Sequence, residues 1–170
     1  MHTIAAIAVA LAEADTEEFI LYARQIVRNS QRLAEKLMEH GFDLVSGGTD
    51  NHLMVVDLRR KGIPGRKLAK ALDRARIVCN FNSVPGDEAP PANPSGIRLG
   101  TPAVTTRGMR EEQMEEIARF IRTVAENVDR ESVIERVAKE VLLLCSGFPV
   151  PEHFIIPTKK AAPFASARAG

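Results

Sequence analysis

Between Pro85 and Pro94 the chain carries Pro85, Gly86, Pro90, Pro91 and Pro94. No helix and no central strand can run through such a stretch, because each proline lacks an amide donor and locks its own φ. A loop of about ten residues must therefore interrupt whatever the chain folds into, and it is longer than most connections, which points to function. Immediately after it comes Ser95-Gly96-Ile97-Arg98-Leu99-Gly100-Thr101. This short apolar run reads as a strand, and its glycines let another backbone or a ligand approach. Arg98 within it offers a rigid, permanently charged fork that matches a carboxylate bidentately. The plain alternative is a strand arginine paired with a surface acid.

The segments on either side alternate between helical and extended periodicity. Met1 to Ala12 is apolar and rich in alanine, lacks the basic n-region of a signal peptide, and reads as a buried, closely packed helix ending over Glu13 to Asp15. Thr16 with Glu17 and Glu18 starts a new helix. Its apolar stripe is Phe19, Ile20, Ala23, Ile26, Val27, Leu33, Ala34, Leu37 and Met38, and it stops at Gly41. Phe42 to Val45 and His52 to Leu58 read as strands, joined by a turn through Gly47-Gly48. A helix bearing Leu68, Ala69, Ala71, Leu72 and Ala75 follows, and then Ile77-Val78-Cys79 as a third strand.

After the Arg98 strand comes a helix with Met114, Ile117, Ala118, Ile121 and Val124 inward. A last helix carries Val133, Ile134, Val137, Val141, Leu142 and Leu144. The order predicts an α/β fold, an α+β-like two-layer sandwich whose small sheet is covered by helices on one face. Its expected boundaries are an apolar helix over 1–15, a domain over 16–146, and a proline-containing flexible tail over 147–170.

For unaided catalysis the residues are poor. His2, His40, His52 and His153 show no metal-ligand spacing. Cys79 and Cys145 form no CxxC and read as reduced thiols of a cytoplasmic protein. Ser83 has no base beside it, and Gly47-Gly48 lacks the lysine and helix start of a phosphate loop. Lys and Arg number 23 against 22 acids, with no Trp and one Tyr, so neither nucleic acid nor a membrane is an expected partner.

Several stretches carry a family resemblance over nearly the whole chain, all but the last twenty or so residues. They are Met1-His2 with its alanine-rich helix, Ser46-Gly47-Gly48-Thr49-Asp50-Asn51-His52-Leu53, Val56-Asp57-Leu58, Asn80-Phe81-Asn82-Ser83-Val84-Pro85, Ser95 to Ala103, Val104-Thr105-Thr106-Arg107-Gly108 and Val133-Ile134-Glu135-Arg136. Together these resemble the C-terminal part of serine hydroxymethyltransferase, a fold-type I pyridoxal-phosphate enzyme. The resemblance implies the small C-terminal domain of that fold, with residues 1–15 packing on a large domain.

By the same resemblance, Arg98 matches the arginine that binds the carboxylate of serine or glycine, and Asn82 an asparagine that contacts the folate cosubstrate. Asn82 has a second reading as a turn residue at a strand end. Pro90, Pro91 and Ala92 lie where the family backbone touches folate, though the usual Ser-Pro-Phe-like sequence is absent, and Phe81 replaces a common lysine. The family's cofactor-binding lysine segment, Thr-rich and followed by His-Lys, is not among these 170 residues, nor is the Gly-Gly-Pro-Leu that precedes Met-His.

The resemblance therefore implies a C-terminal fragment or split half of the enzyme. Its parent reaction interconverts serine plus tetrahydrofolate with glycine plus methylenetetrahydrofolate. The chain would be inactive alone and would partner an N-terminal half or further copies. An alternative is a non-catalytic assembly partner of a full-length homologue, docking through Met1 to Leu11. A third is a regulatory amino-acid-binding domain using Arg98.

Overall fold

A computed structural model describes residues 1–151. Its elements are α1 (His2–Ala14), α2 (Glu17–Glu39), β1 (Asp43–Leu44), β2 (Leu53–Asp57), α3 (Gly65–Arg74), β3 (Asn80–Asn82), β4 (Gly96–Gly100), α4 (Pro102–Thr106), α5 (Glu111–Glu126) and α6 (Glu131–Ser146). Mixed helices and one small antiparallel sheet make an α/β fold, as the periodicities predict. The strands run in the order β1-β2-β4-β3, each pair antiparallel.

Register sorts the side chains between two faces. Met54 pairs with Leu99 and Val56 with Ile97, and all four are buried under the helices. Val55, Arg98 and Asn80 form a row across the other face. The helices α2 and α3 lie against the sheet, α5 packs on both, and α6 packs on α5 and α3. Leu37, Leu68, Leu72, Met114, Ile121 and Ile134 meet in the core between them.

Helix ends follow local chemistry. The Thr16 hydroxyl accepts from the Phe19 amide at 3.3 Å, which caps α2 where Thr-Glu-Glu predicts a start. Gly41, at φ 74°, ends α2 in a Schellman arrangement, with the Phe42 amide donating to Leu37 O at 3.0 Å. The same device closes α3, but there the left-handed residue is Arg76 at φ 65°. The Ile77 amide is thereby spent on Leu72 O at 2.9 Å and cannot join a ladder. The expected strand at Ile77-Val78-Cys79 is consequently displaced, and β3 begins at Asn80.

Three further expectations are corrected. First, α1 forms but buries no residue: Ile4 is 68% exposed and Ile7 and Val9 are also open. Phe19, Ile20 and Met38 are exposed too, and α2 buries side chains only from Asn29 to Leu37. Second, Leu142 is 50% exposed, because α6 turns only Ile134, Val137 and Val141 fully inward. Third, α4 is a helical turn that periodicity does not reveal; Pro102 at its first position is its one local signal. Most of the expected flexible tail, residues 152–170, lies outside the described residues.

A polar strap holds α4, and with it the end of β4, against α2. Asn29, fully buried, donates from Nδ2 to Thr105 Oγ1 at 2.8 Å and to Met109 O at 2.9 Å, and accepts from Gln25 Nε2 at 2.9 Å. The Thr101 hydroxyl donates to Ile26 O at 2.9 Å. On the far side Arg107 donates to Phe148 O and Cys145 O, satisfying the carbonyls at the end of α6. The segment bearing Arg98 is thus pinned at its C-terminal end from two directions.

Candidate substrate-binding site

Arg98 stands at the middle of β4, on the face that no helix of the described chain covers. Its neighbours in the row are Val55 and Asn80. Arg98 Nε donates to Asn80 Oδ1 at 3.1 Å, which fixes the plane of the guanidinium. No acid within the described residues forms an ion pair with it. The surface-pair alternative is therefore not what the structure shows. An oriented, uncompensated guanidinium leaves its outer N–H groups for an incoming carboxylate.

Backbone approach requires the first of the two flanking glycines and crowds the second. A Cβ on Gly96 would lie 2.8 Å from Val56 O and 2.9 Å from Asn82 O, and one on Gly100 would lie 3.3 Å from His52 O. They let the neighbouring chain segments close around β4. Around Arg98 the surface forms a shallow open recess with His52, Leu53, Val78, Cys79, Asn80 and Gly100. Burial pushes the Cys79 thiol up to about 11, with Asp73 adding to the effect, so it is no nucleophile at neutral pH. Among the described residues no group of three or more His, Cys, Asp or Glu side chains could hold a metal.

Asn82 faces the same side as Arg98, two ladder positions along, opposite Gly96. Its Nδ2 donates to Ser83 O at 2.7 Å, the contact expected of a turn residue. Pro90, Pro91 and Ala92 are exposed and form a tight turn closed by the Asn93 amide on Pro90 O at 2.8 Å. No hydrogen bond joins that turn to Arg98 or Asn82 among the described residues. The structure brings Arg98 and Asn82 to one face and puts the turn on the connection between their strands.

Two functional-looking residues escape a reading of the sequence by motif. Asn80 orients Arg98; the alternation Asn80-Phe81-Asn82, which puts both amides on one face, is the signal that could have found it. Asp87 organises the loop from within. Its carboxylate accepts from the Ser95 amide and hydroxyl and from the Ala89 and Val84 amides, with the Ser95 contacts foremost in pulling the carboxyl down to about 2. Arg59, held by Asp57 at 2.6 Å, adds a contact from Nη1 to Gly86 O at 3.4 Å.

Comparison with known proteins bears on this site. A family model described as serine hydroxymethyltransferase matches residues 1–121. A curated serine hydroxymethyltransferase of Sorangium cellulosum is 55% identical over 150 residues, covering 88% of this chain and 36% of that protein. One of Acidothermus cellulolyticus is 56% identical over 156 residues, again covering 88% and 36%. The chain spans about a third of the length of the curated relatives it matches.

Proposed function

The chain belongs to the serine hydroxymethyltransferase family, and we propose that it supplies the carboxylate-binding and folate-facing wall of a serine hydroxymethyltransferase site. The observation that carries this reading is Arg98: oriented by Asn80, without an acidic partner, on an open sheet face. In this role its fork grips the carboxylate of serine or glycine. Holding that group fixes how the rest of the amino acid is presented, so the contribution is orientation. Asn82 and the Pro90–Ala92 turn face the folate cosubstrate.

The family is pyridoxal-phosphate-dependent, and that cofactor supplies the electron sink for breaking bonds at the amino-acid α-carbon. The residues present do not fit it by themselves. The recess around Arg98 is lined by no lysine and holds no cluster of backbone amides at a long helix start. No step through the cofactor is assigned to this chain, which on this reading is inactive alone. The lysine would lie in polypeptide corresponding to the remaining two-thirds of the relatives' length. The exposed apolar α1, residues 1–15, is the surface that would meet it, with 16–146 as the small domain.

Co-expression with a lysine-bearing N-terminal segment of the family tests the proposal. The assembled pair is expected to cleave serine in the presence of tetrahydrofolate, and the chain alone with pyridoxal phosphate is not. Arg98→Lys is expected to raise KM for serine about 100-fold, since a point charge replaces a bidentate fork. Turnover by the isolated chain, or an unchanged KM in the variant, refutes it. Binding only to a full-length homologue, with no activity restored, would instead favour an assembly partner docking through α1.

A further inference from the structure

We propose that Asp87 is the positioning residue of the folate-facing turn, a single carboxylate that closes the loop between β3 and β4 and presets Pro90–Ala92 for its ligand. The proposal rests on the folate reading of that turn given above. Its structural basis is the way the loop's polar groups are satisfied. Residues 83–95 belong to no helix or strand, so their amides need partners from elsewhere. Asp87 Oδ2 accepts from the amides of Val84 at 3.3 Å and Ser95 at 2.9 Å, joining the two ends of the loop. Asp87 Oδ1 accepts from the Ala89 amide at 3.0 Å and the Ser95 hydroxyl at 2.7 Å. Both oxygens are thus used twice, and the donors lie at the start, in the middle and at the end of the loop.

The rest of the loop leans on the same point. The Asp87 amide donates back to Val84 O at 3.0 Å, and the Pro90–Asn93 turn hangs between Ala89 and Ser95. Arg59 reaches Gly86 O, the residue beside Asp87, from a guanidinium that Asp57 holds. Four prolines restrict the unfolded loop, yet proline restricts φ only and does not bring residues 84 and 95 together. The β3–β4 pairing of Asn82 with Gly96 brings the loop's ends together, and the charge-assisted contacts to Asp87 fix the path of the chain between them. Asp87 itself lies outside the Pro90–Ala92 turn, and so acts by holding the turn and not by touching folate.

A ligand whose competent conformer is only fractionally populated binds more weakly by that fraction. Asp87→Asn keeps one acceptor but turns an NH2 group toward amide and hydroxyl donors. If the closed loop falls to about one-tenth of the population, folate affinity falls about tenfold. Asp87→Glu retains the carboxylate on a longer stem and should recover part of the loss. Ser95→Ala removes one hydroxyl contact alone and is expected to weaken binding about threefold.

The experiment titrates the pair formed with a lysine-bearing N-terminal segment of the family, this chain isotopically labelled, with 5-formyltetrahydrofolate, following loop amides by NMR, and measures amide exchange in the same samples. The expected result for Asp87→Asn is faster exchange at Ala89 and Ser95 and about tenfold weaker binding, while α5 amides stay as protected as in the unaltered chain. Unchanged loop exchange, or an opened loop with affinity within twofold, overturns the positioning role alone. Absence of any folate response in the unaltered assembled pair overturns the folate reading of the turn and the positioning role with it. Should Asp87→Asn fail to fold, Ser95→Ala decides: affinity within 1.5-fold or so refutes the proposal.

Discussion

Replacing Gly65 by alanine separates two arguments that predict opposite signs. Gly65 opens α3, where alanine is the better helix former by about 1 kcal/mol, and removing glycine also restricts the unfolded chain. Local propensity therefore predicts stabilisation. Packing predicts the reverse. A Cβ at Gly65 would sit 2.1 Å from Gly96 O and 2.7 Å from Pro94 O, both backbone atoms, and the first falls about 0.9 Å short of the 3.0 Å limit that real contacts respect.

Neither obstacle can rotate away, so the start of α3 must withdraw from β4. Overpacking of this kind costs about 1–3 kcal/mol or more. Withdrawal also loosens the Gly65 amide from Pro94 O, now at 2.7 Å, at about 0.5–1.5 kcal/mol. Against a gain of about 1 kcal/mol, the net expectation is destabilisation by about 1–3 kcal/mol. Urea denaturation followed by far-ultraviolet circular dichroism would read this as a midpoint lowered by about 1 M. Gly147→Ala is the control, because its Cβ would meet only Leu144 O at 3.5 Å with φ at −75°. Its stability should stay within about 0.5 kcal/mol. A midpoint for Gly65→Ala equal to or above that of the unaltered chain would show that α3 and β4 do not make this close approach.

Cys79, raised to about 11 by burial, should be on the order of one-thousandth thiolate at pH 8, and its alkylation should accelerate as pH climbs toward that value. Labelling at the rate of a free exposed thiol at pH 8, read by mass spectrometry, would refute its burial. Asn29→Ala should cost about 2–3 kcal/mol in chemical denaturation, because the Met109 carbonyl and Gln25 amide lose a partner inside the protein. A loss under about 0.5 kcal/mol would mean that the strap between α2 and α4 carries no load.

The helices and the strands β2 and β4 were legible because their signals are periodic and local: Thr16 and Gly41 bracket α2, and Met54 with Val56 and Ile97 with Leu99 recur as buried residues at every second position. What was not legible depends on contacts between distant residues. The left-handed Arg76 hides a helix end that a glycine would have announced, and so moves a strand by three positions. Asn80 orients Arg98 only through the β3–β4 register, and Asp87 closes its loop only because Ser95 returns to it.

The apolar helix α1 is instructive. Composition reads it as a helix made to be buried, and in the described chain Ile4, Ile7, Val9 and Leu11 are all exposed, continuing into Phe19, Ile20 and Leu21. A sequence records that a surface is made to be covered, not which polypeptide covers it. Scattered exposed apolar residues are ordinary, but a contiguous stretch of this kind marks an interface. On the proposed reading its cover is the N-terminal segment that brings the lysine. On that reading the same exposed stretch marks where the assembly that completes the site around Arg98 would form.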